Sequence, residues 1–360
     1  MFYDGNGNFV PVGTGKEIRR RPYWIMHLDC GRKKWSVSNI KIIIDNMTIN
    51  GLNQLQLHFS EATGFRFALD DMTVITKNGV SYDLSTALTT ANGGYLTEDE
   101  MDTIIEYAYS KGIDIVPSFN MPGHMTAILN VFTDFRLSDT LTGTLNVKDD
   151  TAVEFALAIV RKYARYFQSR GCKFWNIGAD EVGTKGAVGR WEYLEDADIP
   201  YVYTFINKVM DIVERHGMIP RLFNEPILYN SPSGDYSNYY DREVQVYCWG
   251  TNADAKCATT EILEQNDYSL INCSQGYYLI IPTGNDTTEK PGLESANLLK
   301  SLGTYGTAKE SHDGCCFCVW CDSDSTDDGG DSAMSAVIAC LNSFGKGITA
   351  STANIDYPVI

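Results

Sequence analysis

The sequence predicts an α/β chain closed into a single (β/α)8 TIM barrel, with one helix replaced by an irregular loop. Three observations carry this prediction. Eight short apolar runs alternate with segments of helical periodicity along the 360 residues. Several of those runs end in polar or aromatic residues, and catalytic groups of such barrels sit at the C-terminal ends of the strands. The long inserts after the second, third, fourth and fifth runs all fall at that same end of a barrel. A doubly wound open sheet is the alternative.

The elements follow in order. Residues 24–28 read as the first strand. Residues 37–50 read as a helix with Ile40, Ile43, Ile44 and Met47 on one face and Ser36 as its cap. Residues 54–59 are the second strand, followed by an insert over 60–96 rich in Thr, Asn and Gly. Thr97-Glu98-Asp99-Glu100 has the capping-box pattern and opens a helix that Gly112 stops. Residues 113–119 are the third strand, and 151–169 a helix with Ala156, Val160, Tyr163 and Phe167 at helical spacing. Residues 174–178 are the fourth strand, 201–216 a helix, and 219–223 the fifth strand. The loop 226–242, with its Pro, Ser, Gly and Tyr, stands where a helix is due. Strands at 244–249, 269–272 and 316–320 complete the eight, with helices at 255–266, 293–301 and 331–344. Residues 1–22 read as a Gly-rich, then basic, lead-in, and 23–360 as a single catalytic barrel.

Composition narrows the function classes. At 44% hydrophobic and 21% charged, the chain is an ordinary globular one. A net charge of −17 argues against nucleic acid or an anionic membrane surface as partner. No apolar stretch approaches the roughly 18 residues that span a bilayer. The opening residues lack the apolar core of a signal peptide. The expected location is therefore the cytoplasm for this chain as it stands, or an excised domain of an exported or cell-surface protein. Ten cysteines fit no disulfide framework at this length, and several, such as Cys248 and Cys316, sit in apolar strand-like runs as small hydrophobes. Cys318 and Cys321 form a C-x-x-C, yet on a strand they face opposite sides, a poor metal clamp. No cofactor and no metal are expected.

The chemistry concentrates at Asp180-Glu181, which follow the apolar run Phe174-Trp175-Asn176-Ile177-Gly178. Two carboxyl groups in different environments suit glycosyl transfer, one protonated as an acid and one ionised. Other strand ends bring Arg32, His124, Trp249, Tyr278, Trp320 and Asp322. Together these are aromatic walls, a few hydrogen-bonding groups and two acids, the components of a sugar site.

The motifs LDCGRKKW, LNQLQLHFSEATGFRFALDDM, GIDIVPSFNMPGHM, FWNIGADEV and CVWCD resemble the family 20 glycoside hydrolases, the β-N-acetylhexosaminidases, over residues 24–344. The long second motif looks most like the catalytic domains of bacterial surface exo-hexosaminidases that trim complex glycans. The resemblance implies a retaining, substrate-assisted exo-hydrolase acting on β-N-acetylhexosaminide glycans, with the 2-acetamido oxygen as nucleophile. A lacto-N-biosidase and a non-catalytic carbohydrate-binding barrel are its alternatives. It implies that Asp180 holds the acetamido N–H and that Glu181 is acid, then base. Arg32 and Asp322 would bind ring hydroxyls, Tyr278 (or its neighbour Tyr277) the acetamido carbonyl, and His124 would support Glu181. Trp249 and Trp320 would be walls, with Phe223 where a third wall tryptophan is common. The sequence departs from the family at Asn120 and at Glu61-Ala62, where Asp and Asp-Asp are common. Glu181 is expected to be the protonated member of the pair, through its ionised neighbour and partial burial.

Overall fold

The computed structural model describes residues 2–3, 9–10, 23–183, 197–227, 240, 243–249, 260–273, 277–281, 312–322 and 326–352. Most of the lead-in, the helix expected at 293–301, most of the loop 226–242 and Cys257 lie outside the described residues. Phe2–Tyr3 pairs antiparallel with Phe9–Val10.

A closed parallel barrel forms from β1 (Tyr23–Asp29), β2 (Gln54–Ser60), β3 (Asp114–Phe119), β4 (Phe174–Asn176), β5 (Ile219–Phe223), β6 (Gln245–Cys248), β7 (Ser269–Asn272), β8 (Tyr278–Ile280) and β9 (His312–Trp320). These nine strands fill eight positions. β9 is long and pairs with β7 along its first half (Asn272 opposite Cys315) and with β8 along its second (Tyr278 opposite Cys318). The seventh position is therefore a strand in two pieces, and the β7–β9 pairing closes the ring. β9 begins four residues earlier than the sequence predicts. Gly314 is there for closeness, because a Cβ would lie 2.2 Å from the Tyr23 carbonyl oxygen on β1.

Helices α1 (Val37–Ile49), α2 (Glu98–Ser110), α3 (Asp150–Ser169), α4 (Ile199–Arg215), α5 (Thr260–Gln265) and α6 (Met334–Thr352) form the outer layer. Ser36 caps α1 by accepting the Asn39 N–H at 3.1 Å, and Thr97 and Glu100 complete the capping box of α2. The apolar face predicted for α1 is the buried one, and α2 buries Met101, Ile104, Ile105 and Ala108. The insert after β2 holds a small hairpin (Thr73–Ile75 with Ser81–Asp83) and packs Phe65 and Phe67 onto Tyr163 of α3. Buried Arg66 ties it to the barrel mouth, donating from Nε to the Gly31 carbonyl at 3.0 Å. None of the helices among the described residues is long and apolar enough to cross a membrane.

The barrel interior is unusually polar for a strand-lined core. Near the base, Arg221 donates to Gln245 at 2.7 Å, Gln54 at 2.8 Å and Tyr247 at 3.1 Å, its guanidinium 3.8 Å from the Phe174 ring. Above it, Asn176 donates to Gln56 at 3.1 Å, and Gln56 meets His27 Nδ1 at 2.7 Å. Paired buried amides and a stacked guanidinium satisfy one another, which keeps their burial tolerable.

Candidate active site

All eight sequence-predicted site residues line one pocket of about 410 Å³ at the C-terminal end of the barrel. That size lies in the range of small-molecule sites. Glu61, Phe223 and Ile280 complete its lining.

β1 supplies the anchor. The Asp29 carboxylate is wholly buried and accepts the N–H groups of Gly31 (3.1 Å), Arg32 (3.0 Å) and Cys321 (3.1 Å). The same carboxylate takes Arg32 Nη1 at 3.0 Å, so the turn after β1 fixes the arginine. Arg32 also meets Glu61 at 3.1 Å and Asp322 at 3.1 Å. Three carboxylates keep its guanidinium charged despite burial.

Glu61, at the end of β2, is the hub. Its buried carboxylate meets Arg32, takes His124 Nδ1 at 2.9 Å and lies 3.3 Å from His58 Nε2. Burial alone would raise its pKa, but Arg32 and then His124 outweigh that and hold it well below the usual carboxylate range. His124 answers in kind. Burial alone would lower its pKa, but Glu61 first and Asp180 second hold it well above the ordinary histidine value. Its Nε2 lies 3.3 Å from Glu181 and 3.9 Å from Asp180.

The carboxylate pair Asp180-Glu181 stands where β4 gives way to loop. Asp180 Oδ1 accepts from Asn120 Nδ2 at 2.6 Å, and Asn120 Oδ1 accepts the Ala179 N–H at 2.9 Å. The residue departing from the family pattern is thus a clamp on Asp180. Gly178 permits it: φ is +77°, and a Cβ would lie 2.3 Å from Asn120 Oδ1. Three non-glycine residues, His124, Ala179 and Glu181, also take left-handed backbone (φ +54°, +63° and +48°). Strain of this kind concentrates where side chains must be aimed.

Proton affinities run opposite to the sequence-based expectation. Asp180 is raised, first by burial and then by the Glu181 charge, against His124 and Asn120. Glu181 is lowered, chiefly by His124, with burial opposing. Charged His124, invisible as such in sequence, reverses the order that adjacency and burial alone predict.

Glu225 escaped sequence reasoning. It lies in the turn after β5, buried, and accepts the Glu181 N–H. Burial, reinforced by Asp180, pushes its pKa up to about 8. The signal was available, because Asn224-Glu225 is another polar strand end.

The aromatic residues sort by which side they face. Tyr278 lines the pocket, while Tyr277 turns outward against Phe344 of α6, with ring centroids 6.1 Å apart. Trp320 stacks near His27 (4.2 Å) and under Arg32 (5.6 Å), with Phe223 at 6.3 Å. Trp249 and Trp320 each keep a buried indole N–H without a partner among the described residues. The C-x-x-C pair diverges as predicted, Cys321 toward the Asp29 carbonyl. A different trio converges below the pocket: Cys273, Cys316 and Cys318.

A closed parallel barrel with paired carboxylates at the end of β4 and aromatic walls around them defines a barrel glycosidase. The chain belongs to glycosyl hydrolase family 20, whose catalytic-domain model matches residues 22–328. A β-hexosaminidase of Vibrio furnissii is 27% identical over 208 residues, 50% of this chain and 32% of that protein. A lacto-N-biosidase of Bifidobacterium bifidum is 26% identical over 202 residues, 52% of this chain and 17% of that protein. The matched stretches thus take in a third or less of either relative. Among solved structures, the pneumococcal exo-β-D-N-acetylglucosaminidase StrH superposes with a TM-score of 0.80 at 23% identity, over 92% of this chain and 85% of that one. Dispersin B superposes with a TM-score of 0.68 at 18% identity, over 91% and 98%.

Proposed function

We propose that this chain is a retaining exo-β-N-acetylhexosaminidase that releases terminal β-linked GlcNAc, or GalNAc, from glycans by substrate-assisted catalysis. One observation carries the reading. Asp180 and Glu181 share a pocket with His124, whose Nε2 lies 3.3 Å from Glu181 and 3.9 Å from Asp180, in a family 20 barrel.

In the free protein His124 holds the proton and Glu181 is the carboxylate facing it. The Glu181 side chain is 31% exposed. An aglycone covering it removes water and disfavours its charge. The proton on His124 Nε2 then passes 3.3 Å to Glu181, while Glu61 keeps the ring in place through Nδ1. Glu181 delivers that proton to the glycosidic oxygen as the C1–O bond breaks. The substrate's acetamido oxygen forms the new bond to C1, giving the oxazolinium ion. Proximity within one molecule replaces an enzyme nucleophile. Asp180, with one oxygen occupied by Asn120, offers the other to the acetamido N–H and faces the developing positive charge. Water, losing a proton to Glu181, then adds to C1 on the retained face and the acetamido oxygen leaves. Arg32 and Asp322 meet the ring hydroxyls, Tyr278 the acetamido carbonyl, and Trp249 and Trp320 wall the sugar.

The test is hydrolysis of p-nitrophenyl β-N-acetylglucosaminide beside its galactosaminide, β-glucoside and lacto-N-biose counterparts, with and without a thiazoline mimic of the oxazolinium. Cleavage of the acetamido sugars alone, blocked by the thiazoline, is expected. Equal cleavage of the β-glucoside would refute substrate assistance. Cleavage of the lacto-N-biose compound alone would make the chain a lacto-N-biosidase, as the Bifidobacterium relative is named.

A further inference from the structure

Three thiols meet inside the barrel, and the reaction above uses none of them. Cys316 and Cys318 are two apart on β9 and so share a side of it, the side packed with Ile25, Tyr247 and Ile271. Cys273 follows β7, which pairs with β9 at Asn272 opposite Cys315. The ladder thus delivers all three sulfurs to one point. Cys273 Sγ lies 3.3 Å from Cys318 Sγ, Cys318 lies 3.7 Å from Cys316, and all three sulfurs fall within 4.8 Å of one another. All three residues are fully buried.

A buried cysteine alone is a small hydrophobe. Three converging on one point present the ligand set of a soft cation. A metal–sulfur bond of about 2.3 Å sets neighbouring sulfurs roughly 3.8 Å apart in a tetrahedral site. The observed separations lie around that value, and rigid parallel strands hold them there. The donors are soft and no carboxylate joins them among the described residues, which selects d10 thiophilic ions over magnesium or calcium. The charge has a counterpart nearby: Arg221 bonds Tyr247 of the same cluster and keeps a buried Nη2 without a partner among the described residues.

We propose that Cys273, Cys316 and Cys318 bind one thiophilic d10 cation beneath the sugar pocket. Each ligating thiol gives its proton to solvent as its sulfur takes the metal. Binding reaches the pocket through its walls, because Trp320 and Tyr278 pack on the same cluster. Tyr278 packs against the cluster that holds Cys273, so drawing Cys273 into the metal shell disturbs that wall.

The probe is cadmium, added to the reduced, full-length chain without oxygen. One ion per chain should be retained through desalting, with a thiolate-to-cadmium ultraviolet band and a 113Cd resonance in the thiolate-rich range. Cys316→Ala and Cys318→Ala should each lose the band, and Cys172→Ala, a buried cysteine elsewhere, should keep it. The 113Cd spectrum reads coordination in the unaltered chain, so it decides even where a variant fails to fold. Absence of a bound ion, a thiolate-poor resonance, or a band that survives both cluster variants would overturn the proposal. So would a reduced protein that refuses cadmium but forms a Cys273–Cys318 disulfide with diamide, which would make the trio a redox pair. Binding is read without substrate, so its failure is separable from failure of the hydrolase reading. Where the chain hydrolyses p-nitrophenyl β-N-acetylglucosaminide, one equivalent of cadmium should raise KM several-fold in the unaltered chain and in Cys172→Ala. Unchanged KM with the ion bound would overturn the coupling to Tyr278.

Discussion

Replacing Glu61 by glutamine tests the proton relay at its root. The carboxylate faces His124 at 2.9 Å and Arg32 at 3.1 Å, with 1% of its side chain exposed. At an effective dielectric of about 20, each of those pairs is worth roughly 5–6 kcal/mol before desolvation. Burying the carboxylate offsets much of that, and breaking a buried pair costs about 3–5 kcal/mol net. Arg32 keeps Asp29 and Asp322, so the strand-end cluster retains charge partners and the barrel should fold. His124 does not fare as well. Glu61 is the largest influence holding its proton, and burial works against it. Without Glu61 the histidine should lose its proton at lower pH.

Two readouts follow. The sign for stability comes from both partners. His124 is raised, so its contribution is complete below about pH 6.5 and lost as pH rises through its folded value. Glu61 is lowered, so its contribution is complete above about pH 4.3 and lost as pH falls. The melting-temperature deficit of Glu61→Gln should therefore be largest between those two values. For activity, kcat/KM should be followed against pH on a disaccharide whose poor leaving group needs the acid. The alkaline limb should move down in the variant, since the His124–Glu181 pair has lost the charge that retained its proton. A limb left where the unaltered chain has it, with the expected loss of stability, would refute His124 as the proton source.

Glu181→Gln should lower kcat on natural linkages by about 10²–10⁴ and far less on activated aryl glycosides, which a comparison of the two substrate classes reads directly. Glu225→Gln resembles the protonated carboxyl. A folded pKa of about 8 means the folded state holds a proton that the unfolded state has released, so native stability falls as pH rises from about 4.3 to 8. The variant should lose that fall, matching the unaltered chain near pH 5 and exceeding its melting temperature near pH 8.5. Gly178→Ala puts a Cβ 2.3 Å from Asn120 Oδ1 on a backbone with φ +77°. It should cost upward of about 2 kcal/mol and lower kcat by loosening the clamp on Asp180, both measurable by thermal melts and steady-state kinetics.

The barrel was legible because its signals are local. Apolar runs, a cap at Ser36 and a capping box at Thr97 belong to segments a few residues long, and each appears where the pattern puts it. The pocket-lining residues were legible for a similar reason, since most of them follow the end of a strand, although Tyr278 begins one. What failed to show was whatever depends on a second strand. β9 begins at His312 because β7 pairs with it, and the place of Gly314 is explained only with Tyr23 set beside it. The C-x-x-C drew attention to Cys321, while the partner that Cys316 and Cys318 share is Cys273, 43 residues before Cys316 in sequence.

Proton affinity is the strongest case of this dependence. Asp180 and Glu181 are neighbours, and adjacency with burial assigns the proton to Glu181. The order reverses through a chain that no segment contains: Arg32 fixes Glu61, Glu61 fixes and charges His124, and His124 faces Glu181. Left-handed backbone at His124, Ala179 and Glu181 aims the members at one another. Hydrogen bonds from outside each turn hold that backbone, among them the Phe223 N–H to the Gly178 carbonyl at 2.9 Å and the Met121 N–H to the Ile177 carbonyl at 3.0 Å. On the proposed mechanism, the ligand-free site therefore stores the proton on His124, 3.3 Å from Glu181. A substrate that covers Glu181 would then call the proton across, so that covering the pocket and arming the acid become a single event.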